Sequence, residues 1–292
     1  MKTFIIGASG LVGGNCLEYF NAKNWENIGT YFSFKTDDTV FFDTLNLDNP
    51  DNFDVKKFQP NVIVHCGALT HVDYCETNEQ ESYKKTVLST KNIVDLAVQL
   101  NSKLVFISTD YIFDGTNGPY AETDKPNPIS IYGKHKLEAE NYVLDNIKEA
   151  IVLRITNVYG DEIRGKNFVS RIVEQAQNNQ HLTLKLPIDQ YATPINAADI
   201  ARCLYLLLND KQNGIFNIAS TDYMNRVQLA LRILHYFPNA SYDLIPLKTT
   251  VLNQPASRPL QGGLKNEKIA TLYPDFVFST VDEYVSSKID KQ

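Results

Sequence analysis

Apolar residues in the first half of the chain fall into short uninterrupted runs, separated by longer stretches of helical spacing. Thr3-Phe4-Ile5-Ile6 stops at Gly7, and Leu11 to Phe20 then reads as a helix. Trp25 to Tyr31 offers a second strand. Val62-Ile63-Val64-His65-Cys66 lies between Pro60 and Gly67, and Leu104-Val105-Phe106-Ile107-Ser108 is a further run. Between those two, Ser82 to Leu100 predicts one long helix, with Val87, Ile93, Val94, Ala97 and Val98 near helical spacing. Runs that are apolar throughout, rather than alternating, predict strands covered on both faces. With right-handed crossovers this gives an α/β fold, a doubly wound Rossmann-type parallel sheet.

Asp110 to Pro128 is rich in Gly, Pro, Asn and Asp and predicts a long loop at a strand end, where such sheets bind ligands. A helix follows from about Ile131 to Leu144, then a strand over Ile151 to Ile155. After Gly160 the pattern is less regular: helices over Phe168 to Gln177 and Ala197 to Leu208, and a short strand at Gly214 to Ile218. The expected division is a dinucleotide-binding domain over 1–160, rejoined by about 195–219. A smaller, interleaved substrate lobe would come from 161–194 and 220–292.

Gly7-Ala8-Ser9-Gly10-Leu11-Val12-Gly13 is a GxxGxxG run between the first strand and first helix, the context a dinucleotide motif requires. Glycines let the backbone approach a pyrophosphate, and the helix N-terminus supplies free N–H groups and partial positive charge. This spacing is typical of the short-chain dehydrogenase/reductase superfamily. A carboxylate closing the second strand would favour NAD; the region Gly29 to Lys35 has none. Ser33 and Lys35 are candidates for a 2′-phosphate, which inclines the reading to NADPH over NADH, although Lys35 reads equally well as a solvated loop lysine. Asp43 is a candidate adenine contact or an ordinary loop carboxylate.

Composition narrows the classes further. The 292 residues are 43% hydrophobic and 21% charged, ordinary globular values, with a formal net charge of −6. An acidic chain without a basic patch argues against nucleic acid or anionic membranes as partners. No run approaches the ~18 apolar residues of a membrane span, and the start of the chain does not read as a signal peptide. Cys16, Cys66, Cys75 and Cys203 lack metal-site spacing and read as buried free thiols in a reducing cytoplasm. No metal site is expected.

Tyr132-Gly133-Lys134-His135-Lys136 is a YxxxK motif. On a helix, residues i and i+4 share a face, which places the Lys136 ammonium near the Tyr132 phenol. Free tyrosine has a pKa of about 10, and a nearby cation lowers it toward useful acid–base range. Tyr132 can then protonate a carbonyl oxygen as hydride arrives. Thr109, at the end of the preceding strand, can hydrogen-bond the same oxygen; its plainer reading is a strand-end residue satisfying nearby backbone. His135 lies on another face and is expected to point to solvent.

The stretch Ser108-Thr109-Asp110-Tyr111-Ile112-Phe113-Asp114-Gly115 resembles the STDYVFDG signature of the dTDP-4-dehydrorhamnose reductase family. Pro119-Tyr120, Glu122 and Pro128 fit its loop. Leu153-Arg154, Val158-Tyr159-Gly160 and Asn167-Phe168-Val169 resemble its LRxxxVYG and NFV segments. Asp189 to Pro194 resembles its DQxGxPT turn, and Arg258-Pro259 its late RP pair. The resemblance implies Thr109, Tyr132 and Lys136 as the catalytic triad, with Lys136 also holding the cofactor ribose. It implies Gly7, Gly10, Leu11, Val12, Gly67, Ala68 and Lys136 at the dinucleotide, and Tyr111, Asn167, Arg171 and Arg258 toward a nucleotide-sugar substrate. The implied reaction is NAD(P)H-dependent reduction of the C4 ketone of a nucleotide-linked 6-deoxyhexose, with a homodimer as candidate assembly. Departures bear on the sugar: Ala192 and Ile195 replace a glycine and a threonine of DQxGxPT, and Thr86 stands where relatives often have asparagine. Alternatives are another nucleotide-sugar reductase or epimerase, or a regulatory subunit resembling the β subunit of methionine adenosyltransferase.

Overall fold

A computed structural model describes residues 1–289 of the chain. Seven parallel strands form the central sheet, in the spatial order Gly214–Ile218, Ile151–Ile155, Lys103–Thr109, Val62–His65, Lys2–Ile6, Glu26–Tyr31 and Thr39–Phe41. Successive side chains along a strand point to opposite faces, so each apolar run feeds two cores. Ile5, Val64, Val105, Ile107, Leu153 and Phe216 face helices Leu11–Ala22 and Ala197–Asn209, packing on Cys16, Leu17, Phe20, Leu204 and Leu207. Phe4, Ile6, Ile63, Leu104, Phe106 and Val152 face the opposite layer, against Ile93, Val94, Ala97, Ala139 and Val143 of helices Ser89–Leu100 and Ile131–Asn146. Burying side chains of this size is worth about 1.5–3 kcal/mol each, and the longest apolar runs supply strands between the edges Gly214–Ile218 and Thr39–Phe41.

The chain leaves strand Lys2–Ile6 toward one edge and returns to Val62–His65 on its other side. That reversal opens a crevice at the carboxyl ends of the two strands, where Gly7 and Gly67 meet. A Cβ on Gly7 would lie 3.3 Å from the Gly67 nitrogen.

A third cluster lies off the sheet. Tyr159, Val169, Ile172 and Val173 pack with Leu182, Leu229, Ile233 and Val285, around helices Phe168–Gln177, Arg226–Leu234 and Val281–Ile289. A parallel two-stranded ribbon of Leu182–Pro187 and Tyr242–Leu247 borders it.

Two expectations are corrected. The long helix expected over Ser82 to Leu100 is interrupted by a π-turn at Lys84–Leu88. His135 is not solvent-facing: it is buried, with Nδ1 2.8 Å from the Ser82 hydroxyl and its ring 5.5 Å from that of Tyr83. The His135 side of the helix packs on the segment leading into that π-turn. Of the four cysteines, all free, Cys66 is half-buried and the others are buried.

Residues 115–120 belong to no strand of the sheet. They are fastened to 261–265 by backbone hydrogen bonds: Gln261 N–H to Gly115 O (2.8 Å), Gly118 N–H to Gln261 O (3.0 Å), Tyr120 N–H to Gly263 O (3.0 Å) and Lys265 N–H to Tyr120 O (2.7 Å).

Candidate active site

The glycine loop is shaped by space. Gly7 has φ +80°, and a Cβ on Gly13 would sit 2.5 Å from the Gly7 carbonyl oxygen. Gly10 caps the Leu11–Ala22 helix with no side chain over its free N–H groups. A cradle that any Cβ would fill, at an uncapped helix N-terminus and beside Gly67, fits a pyrophosphate. Leu11 and Val12 open that helix, and Ala68 follows Gly67 along the same crevice. Ser33 and Lys35 are exposed on the turn after strand Glu26–Tyr31. Between them in sequence is Phe34, and the guanidinium carbon of Arg164 lies 5.2 Å from its ring centroid. Asp43 is half-buried and tied into its own loop, accepting from Leu45 N–H at 2.8 Å.

Thr109, Tyr132 and Lys136 come together at the carboxyl end of strand Lys103–Thr109. All three are buried. Ser130 caps the helix that carries the last two, accepting from Gly133 N–H at 3.2 Å. The Thr109 hydroxyl accepts from Tyr111 N–H (3.2 Å) and donates to Asp110 Oδ1 (3.3 Å). Burial raises the Tyr132 phenol, and its contact with Thr109 pulls the other way. Lys136 is not among the charges that move it. The shared helical face brings the two side chains together, but the longer one reaches back to the sheet: Nζ donates to Ile107 O at 2.5 Å and lies 4.1 Å from the Phe106 ring centroid. Burial pushes Lys136 down to about 7, against the opposing pull of Glu140 and Cys66. An ammonium has three donors, so two remain for a ligand.

A buried ion pair lies one turn further along the helix. Arg154 donates to Glu140 Oε1 from Nε (3.1 Å) and Nη2 (2.5 Å), and Ser108 Oγ donates to Glu140 Oε2 (2.5 Å). It locks helix Ile131–Asn146 to strand Ile151–Ile155. A charged residue inside an otherwise apolar strand signals a buried partner, and that signal at Arg154 was legible in the sequence.

Most of the STDYIFDG stretch builds structure around this centre. Asp110 accepts from Thr156 Oγ1 (2.6 Å) and Gly263 N–H (3.3 Å). Asp114 accepts from Tyr120 OH at 2.6 Å, and the Phe113 and Tyr120 rings stack at 4.3 Å. Tyr111 does face the centre, its ring 5.6 Å from that of Tyr132 at 72°. In the DQ turn, Asp189 accepts from Thr249 N–H (3.0 Å) and Gln190 donates to Gln254 (3.0 Å), anchoring the segment before Arg258.

The other substrate candidates are placed differently from one another. Arg258 is half-buried and paired with Asp73 at 2.7 Å. Asn167 caps helix Phe168–Gln177, accepting from Ser170 N–H (3.0 Å) and donating to Gly160 O (2.9 Å) and Glu162 Oε1 (2.9 Å), so its amide is engaged within its own segment. Arg171 is exposed on that helix. Arg226, which no sequence pattern marked, opens helix Arg226–Leu234 and donates to Asn157 Oδ1 at 2.6 Å. Among the described residues no cluster of His, Cys, Asp and Glu could hold a metal ion, and no helix is long and apolar enough to cross a membrane.

A doubly wound sheet with a glycine cradle at its switch point and a threonine, tyrosine and lysine beside it defines an NAD(P)H-dependent oxidoreductase of the extended short-chain dehydrogenase/reductase class. Within that class the chain belongs to the RmlD substrate binding domain family, whose profile matches residues 1–286. It is 31% identical over 278 residues to methionine adenosyltransferase 2 subunit beta of Bos taurus, covering 93% of this chain and 82% of that protein. It is 32% identical over 206 residues to dTDP-4-dehydrorhamnose reductase of Aggregatibacter actinomycetemcomitans, covering 70% and 66%. The crystal structure of a dTDP-4-dehydrorhamnose reductase ortholog from Clostridium acetobutylicum superposes with a TM-score of 0.83 at 31% identity, covering 100% of this chain and 99% of that one.

Proposed function

We propose that the chain reduces the C4 ketone of a nucleotide-linked 6-deoxyhexose, with dTDP-4-dehydrorhamnose to dTDP-rhamnose as the leading case. The observation that carries this reading is that Thr109, Tyr132 and Lys136 are all buried at the carboxyl end of a sheet whose switch point holds the Gly7–Gly13 cradle, with Lys136 tied to Ile107 O on the strand that ends at Thr109. When bound, a nicotinamide dinucleotide supplies the hydride. Tyr132 gives its proton to the carbonyl oxygen, and Thr109 holds that oxygen in line. Lys136, anchored on Ile107 O, turns its remaining donors to the ribose. Tyr111 packs against Tyr132 and excludes water from the reacting face. NADPH is the preferred cofactor on this reading, supported by Ser33, Lys35 and Arg164 around a turn without a carboxylate. The lobe of 161–194 and 220–292 would hold the sugar nucleotide, in a cytoplasmic enzyme.

The test is NADPH oxidation with purified dTDP-4-dehydrorhamnose. Tyr132→Phe should lose at least about 100-fold in kcat, the usual contribution of a positioned acid, while binding NADPH as before. Full activity in that variant would remove Tyr132 from the mechanism. The identity to the methionine adenosyltransferase β subunit favours a second reading, a regulatory partner of a synthetase. Absence of turnover across a panel of 4-keto sugar nucleotides, with a stable complex on a methionine adenosyltransferase catalytic subunit, would select it.

A further inference from the structure

The chain has seven arginines. Four hold a carboxylate: Arg154 with Glu140, Arg202 with Asp199, Arg232 with Asp222 and Asp282, and Arg258 with Asp73. Arg164 and Arg171 are exposed. Arg226 is half-buried, yet no carboxylate among the described residues pairs with it. Its one hydrogen bond runs from Nη2 to Asn157, and its guanidinium carbon lies 4.9 Å from the Phe168 ring centroid. Asn157 sits past the carboxyl end of strand Ile151–Ile155 with φ +40°, a conformation side chains rarely adopt.

The tether sets this cation at the carboxyl end of the sheet: Asn157 follows Thr156, whose hydroxyl donates to Asp110, the neighbour of Tyr111, at 2.6 Å. Burial lowers its pKa, and the charges that pull it back up are those of Tyr111 and Asp110. Tyr111 is the ring that packs on Tyr132. Asp110 does not neutralise Arg226 by contact, because its oxygens are taken by Thr109, Thr156 and Gly263. A guanidinium carries five N–H donors in a rigid fork. One is used, on the Asn157 amide, and the rest have no partner among the described residues. Arg258, by contrast, is already neutralised by Asp73.

Resting on the nucleotide-sugar reading above, we propose that Arg226 is the anion receptor of the substrate cleft, oriented by Asn157. Its fork would grip an oxyanion of the substrate, either a phosphate of the diphosphate link or a carboxylate on the sugar ring.

The experiment is calorimetric titration of the full chain, saturated with NADPH, using dTDP, UDP and glucuronate as probes. Wild type should bind at least one. Arg226→Gln should weaken that probe roughly 10- to 100-fold, as expected for loss of a bidentate charged contact, with NADPH affinity unchanged. Arg226→Lys, which keeps the charge and loses the fork, should fall between. It carries the test if the glutamine variant fails to bind NADPH. A loss confined to the diphosphates assigns Arg226 to the phosphate, and a loss confined to glucuronate assigns it to the sugar. Equal binding by wild type and both variants overturns the role of Arg226 and leaves the nucleotide-sugar reading standing. Binding of none of the probes by wild type overturns that reading, and this inference with it.

Discussion

Gly133 and Tyr111 are packed so closely that no side chain fits between them: a Cβ on Gly133 would lie 2.1 Å from the Tyr111 carbonyl oxygen. The helix carrying Tyr132 and Lys136 is therefore seated directly on the backbone that follows Thr109. Gly133→Ala must push the two apart. Overpacking of this kind costs about 1–3 kcal/mol, so the melting temperature should fall by several degrees. Because the displaced residue is next to Tyr132, kcat should fall with little change in NADPH affinity. Scanning fluorimetry and steady-state kinetics on one preparation would check both.

Lys136 links stability to pH. Its folded value of about 7 lies below the ordinary lysine value of 10.5. Between those limits the unfolded chain holds a proton that the folded chain has released, so this group makes stability rise with pH across that window. Raised tyrosine and cysteine values act oppositely at the alkaline end, and the comparison must be differential. Urea denaturation from pH 7 to 10 should show a steeper rise, or shallower fall, for wild type than for Lys136→Met. Identical profiles would mean that Lys136 is not perturbed by burial.

Glu140 and Arg154 are both almost wholly buried. Glu140→Ala strands the guanidinium in the core. Breaking such a pair from one side costs about 3–5 kcal/mol, a large share of the ~5–15 kcal/mol that holds a domain together. The double variant Glu140→Leu with Arg154→Met should recover much of that loss in urea midpoint. A double variant no better than the single would locate the cost in the lost Ser108 contact instead.

Cofactor choice should depend on Lys35 and Arg164. Alanine at both positions is expected to weaken NADPH roughly 10-fold or more through lost phosphate contacts. NADH, which has no 2′-phosphate, should bind as before. Quenching of intrinsic fluorescence by each dinucleotide reads this without turnover. Equal losses for the two cofactors would show that these residues serve the fold.

Much of the frame was legible because it rests on local pattern. Uninterrupted runs such as Val62 to Cys66 announce internal strands, and Gly7 to Gly13 announces the crevice by spacing alone. Strand Thr39–Phe41 was not seen, being three residues long, and the ribbon of Leu182–Pro187 with Tyr242–Leu247 joins segments whose partners are remote in sequence. The same limit applies to the site. YxxxK placed Tyr132 and Lys136 on one face, but that Lys136 would lean on Ile107 depends on how the helix sits over the sheet. That Asn167 also caps a helix depends on where Phe168–Gln177 begins. Arg226 carried no motif, because its partner Asn157 and its neighbour Tyr111 come from elsewhere in the chain.

The loop after Thr109 has a further implication. Residues 115–120 take their backbone partners from 261–265, so the loop next to the catalytic centre is shaped by chain made some 140 residues later. A ribosome could complete the whole sheet, through Gly214–Ile218, and still not have released a finished active centre. Competence would wait for 261–265, and fragments ending before residue 261 would be expected to keep the glycine cradle while lacking an ordered reducing end.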